Sequence, residues 1–467
     1  MKNEELEITL FDETKIPRIS DICSLIDEKR YSDVRELTET IPPQDIAEIF
    51  DELPSEYHAR LFRILTKERA AETFVEMDSD IQEKLIMLFT EKELSEILNE
   101  LYLDDTVDII EEMPANVVKK ILRTSSEANR DTINRLLKYP KDSAGTIMTT
   151  EYVRFVGEMT VGKALEHIRK VAIDKETIYT CYVTDKNRRL TGIVTAKQLL
   201  ISPLDTTLES IMEESIVSVF TTDDKEEVAR RFNKYGFLAL PVVDKEYRLV
   251  GIVTVDDAIE VIQSESEEDF SKMAAITPVE EAYLKSSVLT LFRARIPWLL
   301  LLMISATFTS TILNRFELAL PAVLILFVPM LMDTGGNSGG QSSVTVIRAL
   351  SLGDVEYKDV GRVILKEMMT GVLCGLALGI VAFGKVMLVD RLIMQNSEVT
   401  LTVALAISSA LAITVIAAKL IGSSLPILAK KIGFDPAVMA SPFITTVVDA
   451  VALVLYFFIA RGMLGNV

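Results

Sequence analysis

The chain has 467 residues, with 69 acidic and 49 basic side chains and a formal net charge of −20. Residues 1–290 hold 59 acids and 36 bases, whereas residues 291–467 hold only 10 acids and 13 bases. The acidic balance argues against nucleic-acid binding, since a phosphate backbone attracts a basic surface. Three widely separated cysteines make no ligand spacing and favour reduced thiols in a cytosolic soluble part.

Residues 1–140 predict an acidic, all-α helical domain, because apolar residues recur at spacings of three and four. Residues 45–54 (DIAEIFDELP) are echoed by residues 105–114 (DTVDIIEEMP), which indicates stacked helical units. The first residues are charged and lack an apolar run, so membrane targeting is expected to come from internal segments.

Residues 141–263 predict two copies of a small α/β unit. Residues 189–195 (RLTGIVT) return as residues 248–254 (RLVGIVT). The stretch resembles a tandem CBS-domain pair, and the resemblance implies an adenine-nucleotide site where the GIVT strand turns into a helix. Phe237, Thr254 and Asp257 are the candidate residues for ATP in the second copy, whereas the first copy has Gln198 in place of the acid.

Residues 264–295 are expected to form a linking helix that opens with an acidic run, and residues 296–467 are expected to form a five-helix transmembrane domain. A helix needs about 20 apolar residues to cross the bilayer. The second predicted segment is short unless its helix continues into the glycine-rich stretch that follows. The predicted segments are residues 296–313, 318–332, 370–389, 399–428 and 437–460.

Basic residues near the segment ends predict the orientation. They are denser before the first segment, after the second and before the fifth than in the other connections. The N-terminal domains are therefore expected in the cytosol, and five crossings would place the C-terminus outside.

Asp449 is the most informative residue of the apolar part. A carboxylate near the middle of a membrane segment costs several kcal/mol, about 2.5 to 3.5 on lenient scales, and usually faces water or a bound cation. Ser441, Thr445 and Asp449 are spaced by four, so a helix places them on one face. This oxygen-lined stripe predicts a cation path.

Residues 331–343 (LMDTGGNSGGQSS) interrupt the apolar pattern with glycines and polar side chains. The amides of Asn337 and Gln341 need partners if they lie at membrane depth. Two interpretations remain open at this point: a polar helix beside the stripe of Asp449, or a cytosolic loop after a short second helix.

The order of acidic helical domain, CBS pair, linker and apolar segments, with PMLMDTGGNSGGQ at residues 329–341, resembles the MgtE family of magnesium channels or transporters. The resemblance implies a multi-domain membrane protein, a homodimer with a pore at its interface, and Asp449 and Asn337 as pore residues. Many members carry Asn before the proline of the last helix, where this chain has Ser441. Gln341, Ser441 and Thr445 complete the candidate pore set.

The resemblance also implies regulatory Mg²⁺ sites between the cytosolic domains and the linker. The acids at these positions are in the helical domain, in the second CBS copy and at the start of the linker. They are Asp104, Asp105, Asp108, Asp224, Glu226, Asp257, Glu260, Glu265, Glu268 and Asp269.

The leading hypothesis is Mg²⁺ uptake across the plasma membrane by a channel that cytosolic Mg²⁺ closes. An ion-coupled carrier of Mg²⁺, Co²⁺ or Mn²⁺ is the alternative, because a midspan aspartate also serves as a proton relay. A membrane-anchored enzyme or nucleotide sensor is disfavoured: the two histidines, His58 and His167, are isolated, and no zinc motif or P-loop is present.

Overall fold

The computed structural model describes residues 17–279, 283–317, 321–439 and 441–465. Contacts within it divide the described residues into two compact units, with the boundary between Ile262 and Gln263.

The first unit begins with short amphipathic helices joined by breaks of a few residues. Several breaks lie at prolines: Leu53 and Met113, each before a proline, have extended backbones and are buried. The helices are α1 (Ile19–Asp27), α2 (Tyr31–Glu39), α3 (Pro43–Glu52), α4 (Ser55–Ile64), α5 (Lys67–Val75), α6 (Ser79–Leu88), α7 (Glu91–Glu100), α8 (Leu103–Glu112), α9 (Ala115–Thr124) and α10 (Glu127–Leu136).

Two three-stranded sheets follow, and they have the same topology. In each, the first strand pairs in parallel with the second, which pairs antiparallel with the third. The strands are β1 (Tyr152–Val156), β2 (Thr177–Thr184), β3 (Leu190–Thr195), β4 (Val219–Phe220), β5 (Ala239–Val243) and β6 (Leu249–Thr254). The helices are α11 (Val161–Val171), α12 (Ala196–Ile201), α13 (Lys225–Tyr235) and α14 (Val255–Met273).

One buried core joins the helical region to the second α/β copy. It contains the aromatic contacts of Phe62 with Phe74 and Phe89, and it continues into Val253 of β6 and Ala258 of α14. This packing fixes α8 and the start of α14 within a single hydrophobic core. The acids that both helices carry are therefore held in the same part of the first unit.

The second unit contains the long apolar helices. Among the described residues, four helical stretches are long and apolar enough to cross a membrane: Val288–Arg315, Val360–Ile393, Leu401–Lys431 and Pro436–Leu464. The helices of this unit are α15 (Val288–Glu317), α16 (Ala322–Ile325), α17 (Val328–Ser351), α18 (Val360–Lys385), α19 (Leu401–Lys431) and α20 (Ser441–Leu464). A π-helical stretch, Val386–Ile393, continues α18.

The second predicted segment differs from expectation. Residues 318–320 lie outside the described residues, α16 is only 4 residues long, and the polar stretch at residues 331–343 is helical within α17. The interpretation of this stretch as a cytosolic loop is therefore wrong. Each glycine costs a helix up to about 1 kcal/mol relative to alanine, but the small side chains let α17 pack closely against its neighbours.

The expected linking helix at residues 264–295 is also divided. The acidic run lies in α14, which ends at Met273, and α15 begins at Val288. Ala275 between them has a positive φ of 55°, a conformation that ends a helix rather than continuing it. Helical periodicity on both sides of the break concealed it in the sequence.

Candidate cation pathway and acidic cluster

Polar side chains form a stripe along the exposed face of α17. Asp333, Asn337 and Gln341 are spaced by four residues and are all exposed. The Asn337 side-chain amide donates a hydrogen bond to Asp333 Oδ1 at 3.2 Å. In an apolar helical unit such a stripe needs water, an ion or another protein surface, because lipid offers polar groups no partners.

The glycines of α17 beside and behind this stripe allow close packing. A Cβ added at Gly336 would lie 2.8 Å from Thr445 Cγ2, and one at Gly339 would lie 3.0 Å from both Ile444 Cγ2 and Val448 Cγ2. Glycine therefore allows α17 to approach the first turns of α20 more closely than any other residue would. The contact brings Thr445 beside the turn of α17 that carries Asn337.

Asp449 lies one turn beyond Thr445 on α20 and is half-buried. Its Oδ1 atom is buried and has no hydrogen-bond partner in the described part of the chain. Asp333 is close enough to interact with it electrostatically. A buried carboxylate oxygen without a donor is costly, and a cation or an ordered water would satisfy it.

Asp333 was not predicted as a site residue. Its signal was present in the sequence, since it precedes Asn337 by four residues and thus shares its helix face. The spacing of four residues places Asp333 and Asn337 on one face only if the glycine-rich stretch is helical. Ser441 begins α20, but its side chain lies outside the described residues.

A second group of acids lies in the first unit, where α8 meets the start of α14. Burial raises the pKa of Asp105 to about 7, and the charges of Asp104 and Asp257 add to the effect. Burial and the hydrogen bond from Thr254, which opposes it, set the pKa of Asp257 at about 7, with Asp104 contributing to the rise. Burial is the main cause of both raised pKa values, and repulsion from neighbouring carboxylates adds to it.

Glu176 belongs to the same group. Burial, Asp104 and Asp105 raise its pKa to about 8. Glu176 Oε2 and Asp104 Oδ1 are buried and have no hydrogen-bond partner among the described residues. We define Asp104, Asp105, Glu176, Asp256 and Asp257 as the acidic cluster. The sequence did not indicate Glu176, because only the fold brings it to α8, and Asp256 was not predicted although it directly precedes Asp257.

Two further predicted acids border the cluster. The surrounding protein, with Asp104 and Asp257, raises the pKa of Asp108, although this side chain retains contact with solvent. The surrounding protein and the charges of Glu76 and Asp256 raise the pKa of Glu260, although its side chain is exposed. Across the described ranges no three carboxylate, imidazole or thiol groups converge as a ready metal site.

The other predicted regulatory acids have local partners. Asp224 caps α13 by accepting a hydrogen bond from the Glu226 amide at 2.8 Å, and Glu226 pairs with Arg230 at 3.1 Å. Glu265 is half-buried on α14. Asp224 thus lies at the N-cap of α13, and Glu226 lies in its first turn.

Within the second unit, the end of α14 contacts the loops beside the long helices. Lys272 pairs with Glu268 at 2.5 Å and with Asp435 at 2.6 Å, while Ser351 donates a hydrogen bond to Asp269 at 3.0 Å. Burial lowers the pKa of Lys272, but its hydrogen bonds to Asp435 and Glu268 outweigh this, and the net pKa is raised. These contacts tie α14 to the segment that precedes α20.

The predicted nucleotide residues also lie close together. Thr254 Oγ1 donates to Asp257 Oδ2 at 2.5 Å at the start of α14, and Phe237 stacks on Tyr235. The Val255 amide donates to Leu238 O at 3.1 Å, so the Phe237 segment lies beside Thr254. The first copy shows the same turn with a neutral partner, since Thr195 Oγ1 donates to Gln198 Oε1 at 2.9 Å.

Family models match consecutive parts of this chain. Residues 41–142 match the MgtE intracellular N domain, residues 144–204 and 208–264 each match a CBS domain, and residues 328–459 match a divalent cation transporter model named MgtE. These matches cover both the acidic cluster and the helices α17–α20.

Curated relatives match over nearly the whole length. The magnesium transporter MgtE of Thermus thermophilus is 38% identical over 92% of this chain and 95% of its own. That of Bacillus subtilis is 31% identical over 95% of this chain and 96% of its own. The crystal structure of the cytosolic domain of the Mg²⁺ channel MgtE in complex with ATP is 37% identical, with a TM-score of 0.50, and covers 52% of this chain and 100% of that one. The chain therefore belongs to the MgtE family of magnesium transporters, which are membrane proteins and not enzymes.

Proposed function

We propose that this protein carries Mg²⁺ into the cell across the plasma membrane, through a pathway lined by α17 and α20. The observation that carries the proposal is the buried Oδ1 of Asp449, which has no hydrogen-bond partner among the described residues and lies beside the polar stripe of α17. The curated relatives that cover this chain are named magnesium transporters, which supports Mg²⁺ as the cargo.

The chemistry of these side chains suits the hydrated ion. Mg²⁺ prefers octahedral oxygen coordination at about 2.0 to 2.1 Å and gives up its waters reluctantly. A carboxylate with amide and hydroxyl neighbours can therefore hold the ion through its waters. Asp449 would supply the charge, and Asn337 and Thr445 would supply oxygens that orient the water shell.

We further propose that two copies of the chain form the pathway. Asp333, Asn337 and Gln341 are exposed on α17, and a polar stripe of this kind is costly against lipid. A second copy that faced the same stripe would enclose a water-filled path. Two Asp449 carboxylates across that path would repel each other unless a cation lay between them.

The acidic cluster supports regulation by cytosolic Mg²⁺. Burial raises the pKa values of Asp105, Glu176 and Asp257, and repulsion from neighbouring carboxylates adds to the rise. Divalent ions bound through their waters would relieve this repulsion and hold α8 against α14. Moving a gate from 1:99 to 99:1 requires a preference of about 5.5 kcal/mol for one state, and several weak ions per dimer would supply it.

The end of α14 would carry this change to the pathway. Lys272 pairs with Asp435, which lies six residues before the start of α20. A shift of α14 that breaks this ion pair would release the segment that leads into the pore helix. In this mechanism high cytosolic Mg²⁺ keeps the pair formed and the pathway closed.

ATP is proposed as a ligand of the second CBS copy. Thr254, Asp257 and Phe237 lie close together there, and the solved cytosolic domain with 37% identity is a complex with ATP. Thr254 and Asp257 would hold the ribose hydroxyls. Because Asp257 also belongs to the acidic cluster, nucleotide and Mg²⁺ binding are expected to influence each other.

An ion-coupled carrier is the second candidate, since Asp449 could take up a proton during each cycle. Single-channel recording separates the two mechanisms. Resolvable unitary Mg²⁺ currents from the purified protein in a planar bilayer support the channel, whereas uptake without unitary events, together with dependence on a proton gradient, supports the carrier.

The basic residues near the helix ends favour a cytosolic N-terminus and an external C-terminus.

A further inference from the structure

A polar connection lies inside the membrane unit, away from the exposed stripe of α17. Lys419 of α19 donates a hydrogen bond to Ser342 Oγ at 3.3 Å, and Ser342 donates to Glu367 Oε2 of α18 at 2.5 Å. Lys419 is 5% exposed and Ser342 is 2% exposed. One side chain from each of three helices thus joins a cation to an anion through a hydroxyl.

Close packing fixes the path of the Lys419 side chain. A Cβ added at Gly371 of α18 would lie 3.6 Å from both Cβ and Cδ of Lys419. A lysine in a membrane helix commonly extends its ammonium group to the interface. Lys419 instead stays inside the helix packing, where an isolated charge would be very costly. Glu367 supplies the balancing charge through Ser342.

Ser342 connects this network to the proposed pathway. It follows Gln341 directly and lies five residues after Asn337 on α17. Because successive residues are about 100° apart around a helix, Ser342 faces α18 and α19 while Asn337 and Gln341 face outward. Holding Ser342 therefore fixes the rotation of α17 and the direction in which the two amides point.

We propose that the Lys419–Ser342–Glu367 network positions the pore-lining face of α17 for Mg²⁺. This inference rests on the proposed function and extends it to residues that do not touch the ion. The three are positioning residues: they act through α17, and their loss changes how Asn337 and Gln341 meet the water shell of the cation.

The deciding variant is Ser342→Ala, which keeps both charges and removes the connection. Mg²⁺ uptake is measured in liposomes at matched amounts of folded, full-length protein. The half-saturating Mg²⁺ concentration is expected to rise by about tenfold, as for loss of a hydrogen bond to a charged group. Discrimination of Mg²⁺ against Ca²⁺ is expected to weaken. Ser423→Ala is the matched control, since among the described residues this buried serine bonds within its own helix, to Leu420 O at 3.1 Å.

Variants that change the charge of Lys419 or Glu367 test the proposal independently. Lys419→Met and Glu367→Gln each leave one uncompensated charge and are expected to impair uptake more than the double variant does. If any of these charge variants fails to fold, the Ser342→Ala variant still tests the proposal. A Ser342→Ala protein with wild-type half-saturation and selectivity would overturn the inference. Absence of uptake by the wild type would instead contradict the proposed function.

Discussion

Gly336 on α17 lies directly against Thr445 on α20, where an added Cβ would come within 2.8 Å of Thr445 Cγ2. The two residues set the distance between the helices that carry the proposed pathway. The contact therefore links the glycine-rich motif of the sequence to the geometry around Asp449.

Replacing Gly336 by alanine is expected to reduce Mg²⁺ uptake at least tenfold, because overpacking costs about 1 to 3 kcal/mol or forces the helices apart. Gly361→Ala on α18 is the matched control, since its added Cβ would meet nothing within 4 Å. This control should retain uptake and gain slight helix stability. Equal activity of the two variants would contradict a packing role for Gly336.

Asp333→Asn should raise the half-saturating Mg²⁺ concentration by about tenfold, or about 1.4 kcal/mol, since it removes a charge from the stripe that leads to Asp449. The Asn337 side chain, which donates to Asp333 at 3.2 Å, would also lose its charged acceptor. Initial rates of uptake against Mg²⁺ concentration measure the effect. Asp354→Asn changes an exposed acid beyond α17 and should have no effect. If the uptake rates of the two variants depend on Mg²⁺ concentration in the same way, Asp333 does not line the pathway.

The acidic cluster predicts a pH-dependent stability of the first unit. Asp105, Asp257 and Glu176 have pKa values of about 7, 7 and 8, above those of exposed carboxyls. The folded state then holds more protons than the unfolded state between about pH 4 and pH 8, so stability falls as pH rises through this window. Calorimetry of the full-length protein without Mg²⁺ should show a lower unfolding temperature for this unit at pH 8 than at pH 6.

Added Mg²⁺ should reverse the loss at pH 8 and have little effect at pH 6, where protons already relieve the repulsion. Asp105→Asn should raise the unfolding temperature in Mg²⁺-free buffer and reduce the response to Mg²⁺. Asp131→Asn, an exposed acid of α10 outside the acidic cluster, is the control for a general change of charge. A stability that rises with pH in the absence of divalent ions would contradict the crowding of these carboxylates.

Asp435→Asn should weaken closure of the pathway, because Lys272 would lose one of its two charged partners. Uptake into liposomes loaded with high Mg²⁺ on the side of the cytosolic domains should exceed that of the wild type severalfold. Glu246→Gln, at an exposed pair with Arg248, serves as the control. Unchanged closure in Asp435→Asn would disconnect the end of α14 from gating.

The sequence predicted most of the architecture because its signals are local. Repeated GIVT strands indicated the α/β copies, and long apolar runs indicated α15, α18, α19 and α20. The helical form of the glycine-rich stretch was left open, since it depends on packing against Thr445 and Val448. The break between Met273 and Val288 was missed for a related reason: both flanks have helical periodicity.

The site residues show the same difference between local sequence signals and contacts that depend on the fold. The spacing of Ser441, Thr445 and Asp449 follows from helix periodicity and was read from the sequence, whereas Asn337 was indicated by the glycine-rich motif. Glu176, which directly precedes β2, belongs to the acidic cluster only because the fold brings it to Asp104 and Asp105 of α8. The connection of Lys419 to Ser342 and Glu367 joins three helices, and no sequence pattern specifies such a contact.

The most direct test is Mg²⁺ uptake into liposomes that contain the purified protein, comparing the wild type with Asp449→Asn and Asp449→Ala. We predict rapid uptake by the wild type, a loss of at least a hundredfold or a loss of selectivity in both variants, and unchanged folding by circular dichroism. Wild-type uptake that both variants retain in full would make Asp449 a structural acid and contradict the proposed pathway.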